Sequence, residues 1–311
     1  MLSFAVYRLA WVALTVWAVA SISFFLVRGA PGDPFLNEIR NLSPEVRAAR
    51  MREYHLDRPL VEQYGRWLWN LCRGDFGPSM KYRGKTVAAI ISQALPTSLA
   101  LGSIALAISV ILGLTAGVIA ALYQNRWLDY TLMSLAVLWI SLPSFVIATL
   151  LIVVFVFGFA LFPLAGWDDY RHVFLPAVAL ALPFAARIAR LARAGMLEVL
   201  SEDFVRTATA KGLRQHQVII KHALRGGALP VVSFLGPAAA LILTGSLVVE
   251  KIFSIPGLGR IFVQAAINRD YYVVLGAVVV FSTLLCFFNY LVDVSYTLLD
   301  PRVRESMGSS K

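Results

Sequence analysis

The residues of this sequence that could do chemistry are few and scattered. Asp168 and Asp169 are adjacent, and Asp293 lies far downstream. Carboxylates brought together can share a proton and activate water, which would be the chemistry of an intramembrane aspartyl protease. Arg83 to Thr86 read RGKT and imitate the end of a phosphate-cradling P-loop, but that pattern needs Gly where Ser79 stands. Asn289, Asp293 and Tyr296 are spaced by four and three, so a helix puts them on one face. The stretch Thr207 to Pro230, TATAKGLRQHQVIIKHALRGGALP, is basic, helix-forming and interrupted by Gly212. No HExxH, nucleophile elbow or Cys/His zinc spacing occurs, so metalloprotease and serine hydrolase chemistry have no support and no metal site is expected.

The elements that position these residues belong in lipid. A chain of 311 residues with 59% hydrophobic residues, 15% charged residues and mean hydropathy +0.72 has more apolar surface than a soluble core of this size could hide. Uncharged apolar runs cover Leu9 to Val27, Leu99 to Leu122, Tyr130 to Leu161, His172 to Ala186, Gly226 to Val249 and Tyr271 to Val292. They predict six transmembrane helices, since roughly 20 residues cross the hydrocarbon. The fourth run is short and holds Pro176 and Pro183, so it either continues past Arg187 or kinks. The first run is too long for a signal peptide and has no convincing cleavage site after it, so it is expected to be retained. The expected fold is therefore an all-α polytopic membrane protein. Its parts are a first span (1–30), an extracytoplasmic helical insertion (31–96), a five-helix core (97–300) containing a cytoplasmic loop at about 195–228, and a cytoplasmic tail (301–311).

Charge sets the orientation. Arg187 to Arg225 hold eight Lys or Arg against Glu198, Glu202 and Asp203, and Arg302, Arg304 and Lys311 follow at the C-terminus. By the positive-inside rule these segments, and with six spans the N-terminus, face the cytoplasm. The insertion carries ten basic residues as well, but long translocated loops escape the rule and seven acids share it. The net charge of +10 thus reads as topology; no aromatic-basic module supports nucleic acid binding. Cys72 and Cys286 fall too far apart in this arrangement to pair.

Local signals sharpen two regions. In the insertion, Ser43-Pro44-Glu45 and Asp57-Arg58-Pro59 read as helix starts, and Leu60, Tyr64, Trp67, Leu68 and Leu71 recur at helical spacing. That apolar face suits either a lid or docking platform over a pathway, or a helix in the headgroup layer anchored by Trp67 and Trp69. In the loop, Ser201 is placed as an N-cap, Glu202 and Asp203 as first-turn acids, and Gly212 as the left-handed residue that ends a helix of about ten residues. A second helix from about Arg214 to Arg225 ends at Gly226-Gly227. Two short helices at a sharp turn make a knob that fits a partner's cleft; the alternative is a basic helix on anionic lipid. Within the spans, Ser98, Gly102, Gly113 and Gly117 permit close helix packing, and Ser141-Leu142-Pro143-Ser144 and Pro237 are places where a helix could open.

The loop resembles the cytoplasmic coupling motif of ATP-binding-cassette (ABC) importer permeases, Glu-Ala-Ala, three residues, Gly, then an Ile-x-Leu-Pro element. Here Arg206-Thr207-Ala208, Thr209-Ala210-Lys211 and Gly212 match, with Arg206 at the acidic position; the terminal Leu-Pro position is held by Leu224-Arg225 after His222-Ala223, with a further Leu229-Pro230 five residues on. This variant is similar to the oligopeptide and dipeptide branch. APGDP, GDFGPSMKY, GSLVVEKIFSIPGLG, NRDY and VDVSYTLLDPRVR agree along nearly the whole chain, most like the first (B-type) permease subunit. The resemblance implies uptake of peptides as the passive half of an ABC importer in the bacterial inner membrane. It implies coupling residues Arg206, Thr207, Ala208, Ala210, Lys211, Gly212, Leu213, His222, Ala223 and Leu224. Its partners would be a second homologous permease, two cytoplasmic ATPases that bind ATP and Mg, an extracytoplasmic peptide-binding protein and the lipid bilayer, with no cofactor in this chain. Other cargo in the same branch would be a nickel chelate, glutathione or an antimicrobial peptide; a stand-alone secondary transporter or channel would need no ATPase. Asn289, Asp293, Tyr296, Ser141 and Ser144 are pathway candidates, with interhelical hydrogen bonding as the alternative.

Overall fold

The computed structural model describes residues 2–30, 44–82, 84–244 and 246–299. Among them there is no strand, only an isolated bridge between Pro78 and Thr86. The helices are α1 (Leu2–Gly29), α2 (Pro44–Glu53), α3 (Leu60–Cys72), α4 (Val87–Leu122), α5 (Trp127–Ser141), α6 (Ser144–Leu151, extended by a π stretch Ile152–Gly158), α7 (Tyr170–Leu200), α8 (Asp203–Ala210), α9 (Gln215–Gln217, a π stretch Val218–Ala223, and Leu224–Gly227), α10 (Leu229–Leu243), α11 (Leu247–Ile252), α12 (Leu258–Asn268) and α13 (Tyr271–Leu299). The tail 301–311, Arg83 and Ser43 lie outside the described residues. Five helices or helix pairs are long and apolar enough to cross a membrane, and α5 with α6 make a sixth if taken as one span. The chain forms two compact units, Met1–Ser98 with Pro256–Lys311, and Leu99–Ile255.

In the first unit α1 packs along α13. The apolar stripe of α3 is covered from within this unit: Trp67, only 5% exposed, stacks on Phe24 with ring centroids 5.2 Å apart, and Leu275 and Val279 of α13 complete the cluster. Ser21 Oγ and the Tyr64 hydroxyl are 2.7 Å apart. Trp67 is therefore a core residue and not a headgroup anchor, because α1 supplies the apolar partner its helix face needs. Trp69 stays exposed, with the Arg73 guanidinium 4.5 Å over its ring. The following loop is held by Asp270, which is fully buried before α13. Its carboxylate accepts from the Ser79 hydroxyl, from the backbone N–H of Met80 at 3.2 Å and from that of Lys81 at 3.3 Å. Several donors of this kind satisfy a buried carboxylate. The GDFGPSMKY and NRDY segments thus meet as one clasp.

Helix α4 starts at Val87, ten residues before the expected boundary at 97, with Pro96 inside it. The cause is apolar: Val87, Ile90, Ile91 and Ala94 pack against Leu258, Ala265, Val273, Val274 and Ala277, which rewards helix before the proline. The third run is not one straight helix. Leu142 and Pro143 are extended, and α5 and α6 meet at 110°. A residue before proline is pushed out of the helical region, which explains the break. By contrast α7 runs through both Pro176 and Pro183 and on past Arg187 to Leu200, and α10 keeps Pro237 inside.

The second unit is organised around α7, whose buried residues are mostly alanine. Small residues let backbones approach. A Cβ added at Gly113 would sit 2.6 Å from Ile188 Cβ, and one at Gly117 would sit 2.5 Å from the Ala189 carbonyl and from Ala192 Cβ. Ser109 Oγ, 2.7 Å from the Ala105 carbonyl and 3.1 Å from that of Ala181, adds a polar tie between α4 and α7. Packing of this kind is what holds helices together in lipid. The expected result for Gly117→Leu is loss of at least about 1–3 kcal/mol from overpacking. Gly65→Ala on α3, where an added Cβ meets nothing within 4 Å, should be neutral or slightly stabilising, by up to ~1 kcal/mol. Thermal unfolding of the two purified variants checks this; equal midpoints would remove the α4–α7 contact as a determinant of the fold.

Candidate functional site

The segment 195–228 begins inside the last turn of α7. Ser201 has helical dihedrals and its hydroxyl donates to the Glu198 carbonyl at 2.7 Å, so it closes α7 and is not the N-cap of α8. The extended residue there is Glu202, whose side chain makes no cap bond. Helix α8 then ends as its sequence predicts. Gly212 has φ +81°, its N–H donates to the Thr209 carbonyl at 3.0 Å, and the Leu213 N–H donates to the Ala208 carbonyl at 3.4 Å. This pair of bonds is the Schellman closure, which needs a residue with positive φ. Open space surrounds Gly212, so its requirement is backbone conformation alone.

The knob has its own small core. Val205 and Ala208 of α8 bury against Val218 of α9, with Val199 and Leu200 beside them. Ala208 is therefore internal and not an outward contact for a partner's groove; α8 is amphipathic, and its small residue lies on the buried face. Ala223 is fully buried against Ala121 and Met196, with Leu224 packed alongside, which docks α9 on the ends of α4 and α7. Gly226 and Gly227 end the second helix, as the sequence predicts, and Ala228 follows as its C-cap. They lie within its last turn, where the Gly227 carbonyl would be 2.3 Å from a Cβ at Gly195. A glycine is needed at 195 for that approach.

Exposed on the knob are Phe204, Arg206, Thr207, Ala210, Lys211, Leu213, Ile220, Lys221 and His222. The Arg206–Asp203 pair at 3.5 Å is solvent-exposed and so contributes little. The outward surface is thus apolar spots framed by cations, and the buried members Ala208 and Ala223 shape it from behind.

One contact near the knob was not anticipated from sequence. Arg193 on α7 donates to Asp129 in the first turn of α5 through both Nε, at 2.6 Å, and Nη2, at 2.7 Å. Asp129 is 2% exposed and also accepts the Asn125 N–H at 3.0 Å. The signal available was the acid two residues after Trp127 at a helix start; its partner, 64 residues away, was not readable. Glu250, fully buried in α11, carries its own sequence signal, since it interrupts the apolar run SLVVEKIF.

The other candidates resolve as follows. Asp169 caps α7, accepting from the N–H groups of Arg171 and His172 and lying 2.9 Å from His172 Nδ1. Desolvation pushes its pKa up, but the bonds from His172 and Arg171 outweigh this and hold it below the usual carboxylate value. It is engaged as a cap, which answers half of the protease reading. The Ser141 hydroxyl donates to the Val137 carbonyl of its own helix at 2.8 Å, and Ser144 is half-buried on the far side of the bend. Asn289 is exposed on α13, while the side chains of Asp293 and Tyr296 lie outside the described residues. Lys85 and Thr86 sit in a tight turn in which the Ser79 N–H donates to the Lys85 carbonyl at 3.0 Å and the Lys85 N–H donates to the Tyr82 carbonyl at 3.1 Å.

Residues 113–305 match the family of binding-protein-dependent transport system inner membrane components. Similar proteins along nearly the whole chain include oligopeptide transport system permease protein OppB of Haemophilus influenzae, 45% identical over 306 residues that cover 98% of this chain and 100% of that protein. Dipeptide transport system permease protein DppB of Bacillus subtilis is 47% identical over 292 residues, 94% of each chain. The OppB of Escherichia coli is 45% identical over 306 residues, again 98% and 100%.

The left-handed turn gives a direct test. Gly212→Val places a β-branched residue in the left-handed region, at a cost of about 1–2 kcal/mol; Gly212→Asn, which tolerates it better, should be milder. Hydrogen exchange of the amides in 203–213 is expected to speed up in the Val variant and much less in the Asn variant. Identical exchange in both would mean the turn does not hold α8.

Proposed function

The chain belongs to the family of binding-protein-dependent transport system inner membrane components, and from that premise we propose that it is the B-type permease of an ABC importer for oligopeptides or dipeptides. The observation that carries the coupling role is the knob: a Schellman-closed turn at Gly212 on two short helices docked onto the ends of α4 and α7. Short helices of this kind are marginal alone in water, so a rigid docked knob is suited to transmit a push. In this reading two cytoplasmic ATPases bind ATP with Mg, each receives a knob from one of two homologous permeases, and their closure shifts the spans from inward-facing to outward-facing. An extracytoplasmic binding protein delivers the peptide.

The same reading puts the knob and both termini in the cytoplasm, the insertion on the outer side of a bacterial inner membrane, and no ATP hydrolysis in this chain. Phe204, Leu213 and Ile220, framed by Arg206, Lys211 and Lys221, are the groups that meet the ATPase. Ser144 at the α5–α6 bend and the α13 set Asn289, Asp293 and Tyr296 are pathway contacts on spacing and position. Nickel chelates, glutathione and antimicrobial peptides remain the alternative cargo.

Co-expression with the subunits of its own operon and purification through this chain should yield a complex containing a P-loop ATPase; the chain purified free of it should neither bind nor hydrolyse ATP. Proteoliposomes holding the complex and its binding protein are expected to take up di- to hexapeptides only with ATP. Hydrolysis by the isolated chain, or uptake of the nickel chelate or glutathione in preference to every peptide, would overturn the corresponding part of the proposal.

A further inference from the structure

The knob touches α7 and α4, but the sharpest feature of the second unit is the bend between α5 and α6. The Arg193–Asp129 fork stands between the two. Arg193 lies on α7 two and three residues before Gly195 and Met196, against which Gly227 of α9 packs. Its guanidinium takes both oxygens of Asp129 in the first turn of α5. The Asn125 N–H, in the turn that joins α4 to α5, closes on the same carboxylate. Beside it, a Cβ at Gly117 on α4 would be 3.1 Å from the Arg193 backbone nitrogen. The ends of α4, α5 and α7 and the exit of the knob therefore meet within one small region, and the fork joins α5 to it by charge-assisted bonds.

The alternative is that the fork only stabilises the fold. A bidentate Arg–carboxylate pair fixes distance and angle together, which a packed apolar contact does not. The pair is half-buried, with the Arg193 side chain 27% and that of Asp129 2% exposed, and desolvation of the carboxylate offsets part of the attraction, so geometric fixation is a further reason for its presence. Resting on the importer reading, we propose that Asp129 and Arg193 are positioning residues for transport: they make α5, the inner arm of the broken span, move with α7 and the knob, so that a push on the knob reaches the α5–α6 bend at Leu142-Pro143. Without the fork the knob still docks on its ATPase and the ATPase still turns over, but α5 does not follow.

The variants separate fixation from stability. Arg193→Gln alone strands the buried Asp129 carboxylate and should lower the yield of assembled complex, whereas Asp129→Asn leaves only the partly exposed Arg193 without its acceptor and should lower it less. The double variant D129N/R193Q removes both charges and should restore yield. R193K keeps the charge balance but loses the fork. The readouts are tri-alanine uptake per ATP hydrolysed in proteoliposomes, and the ATP- and vanadate-dependent change in a fluorophore on Val137→Cys of α5, in a background with Cys72→Ser and Cys286→Ser. We expect R193K and D129N/R193Q to assemble and to hydrolyse ATP within about twofold of wild type, while uptake per ATP falls on the order of tenfold, within the range of site-to-site coupling, and the Val137 signal is blunted. Wild-type uptake per ATP and a full Val137 signal in R193K would overturn the proposal, even if the double variant failed to assemble. If wild type imports no tri-alanine but its Val137 signal responds to ATP, the peptide reading fails and the fork is still judged by the Val137 signal of R193K.

Discussion

The second unit depends on the distance between α4 and α7. In lipid, helices gain nothing by hiding apolar surface from one another, so association rests on close packing and on polar ties. Gly113 and Gly117 bring the α4 backbone onto the Ala185 and Ala189 carbonyls, with no room for a Cβ at either glycine. Once α4 and α7 are set this closely, their ends form a fixed platform where Ala121 and Met196 receive Ala223 of the knob. The same small-residue logic recurs at Gly195 and Gly227, where the knob's exit crosses α7. A change in shape at Gly113 or Gly117 therefore acts on the knob without touching it.

The platform also explains how α7 can run through two prolines while α5 and α6 break at one. Pro176 and Pro183 lie in a helix enclosed by α4, α5, α6, α10 and α11, whose contacts hold it straight enough to continue. Pro143 lies between helices whose exposed faces include Val137, Leu138, Phe145 and Leu150, so fewer contacts oppose the extended conformation that proline imposes on Leu142. Backbone preference decides the outcome where packing is thin, and packing decides it where neighbours are many.

This division marks what the sequence could disclose. The apolar spans and the turn at Gly212 follow from local composition: five helices or helix pairs are long and apolar enough to cross a membrane, six with the α5–α6 pair, and Gly212 has positive φ. The GxxxG pair was legible as a packing face, although its partner was not. What remained hidden depends on long-range pairing. Trp67 finds Phe24, Asp270 finds Ser79 and Arg193 finds Asp129 over separations of 43, 191 and 64 residues or so, and nothing local to either member indicates the other. Ser201 shows a subtler limit: a serine followed by two acids fits an N-cap, but one residue of register decides whether it closes the helix behind it or opens the one ahead, and here the extended dihedrals fall on Glu202.

The burial of Ala208 gives it a role within the segment 206–212 itself. Read along the chain, a small residue four places before the glycine invites a contact with a partner. In the folded knob it faces Val205 and Val218, and its carbonyl accepts the Leu213 N–H that completes the turn. The alanine and the glycine therefore serve one purpose, closing α8 tightly onto α9, and a larger side chain at 208 would pry the two helices apart before any partner arrived. The position before them is free of that demand: Arg206 points into solvent with only an exposed acid nearby. An internally packed turn can tolerate a change of charge on its outer face while it cannot tolerate a change of volume within, which is why the motif can carry Arg in place of an acid and still hold its shape.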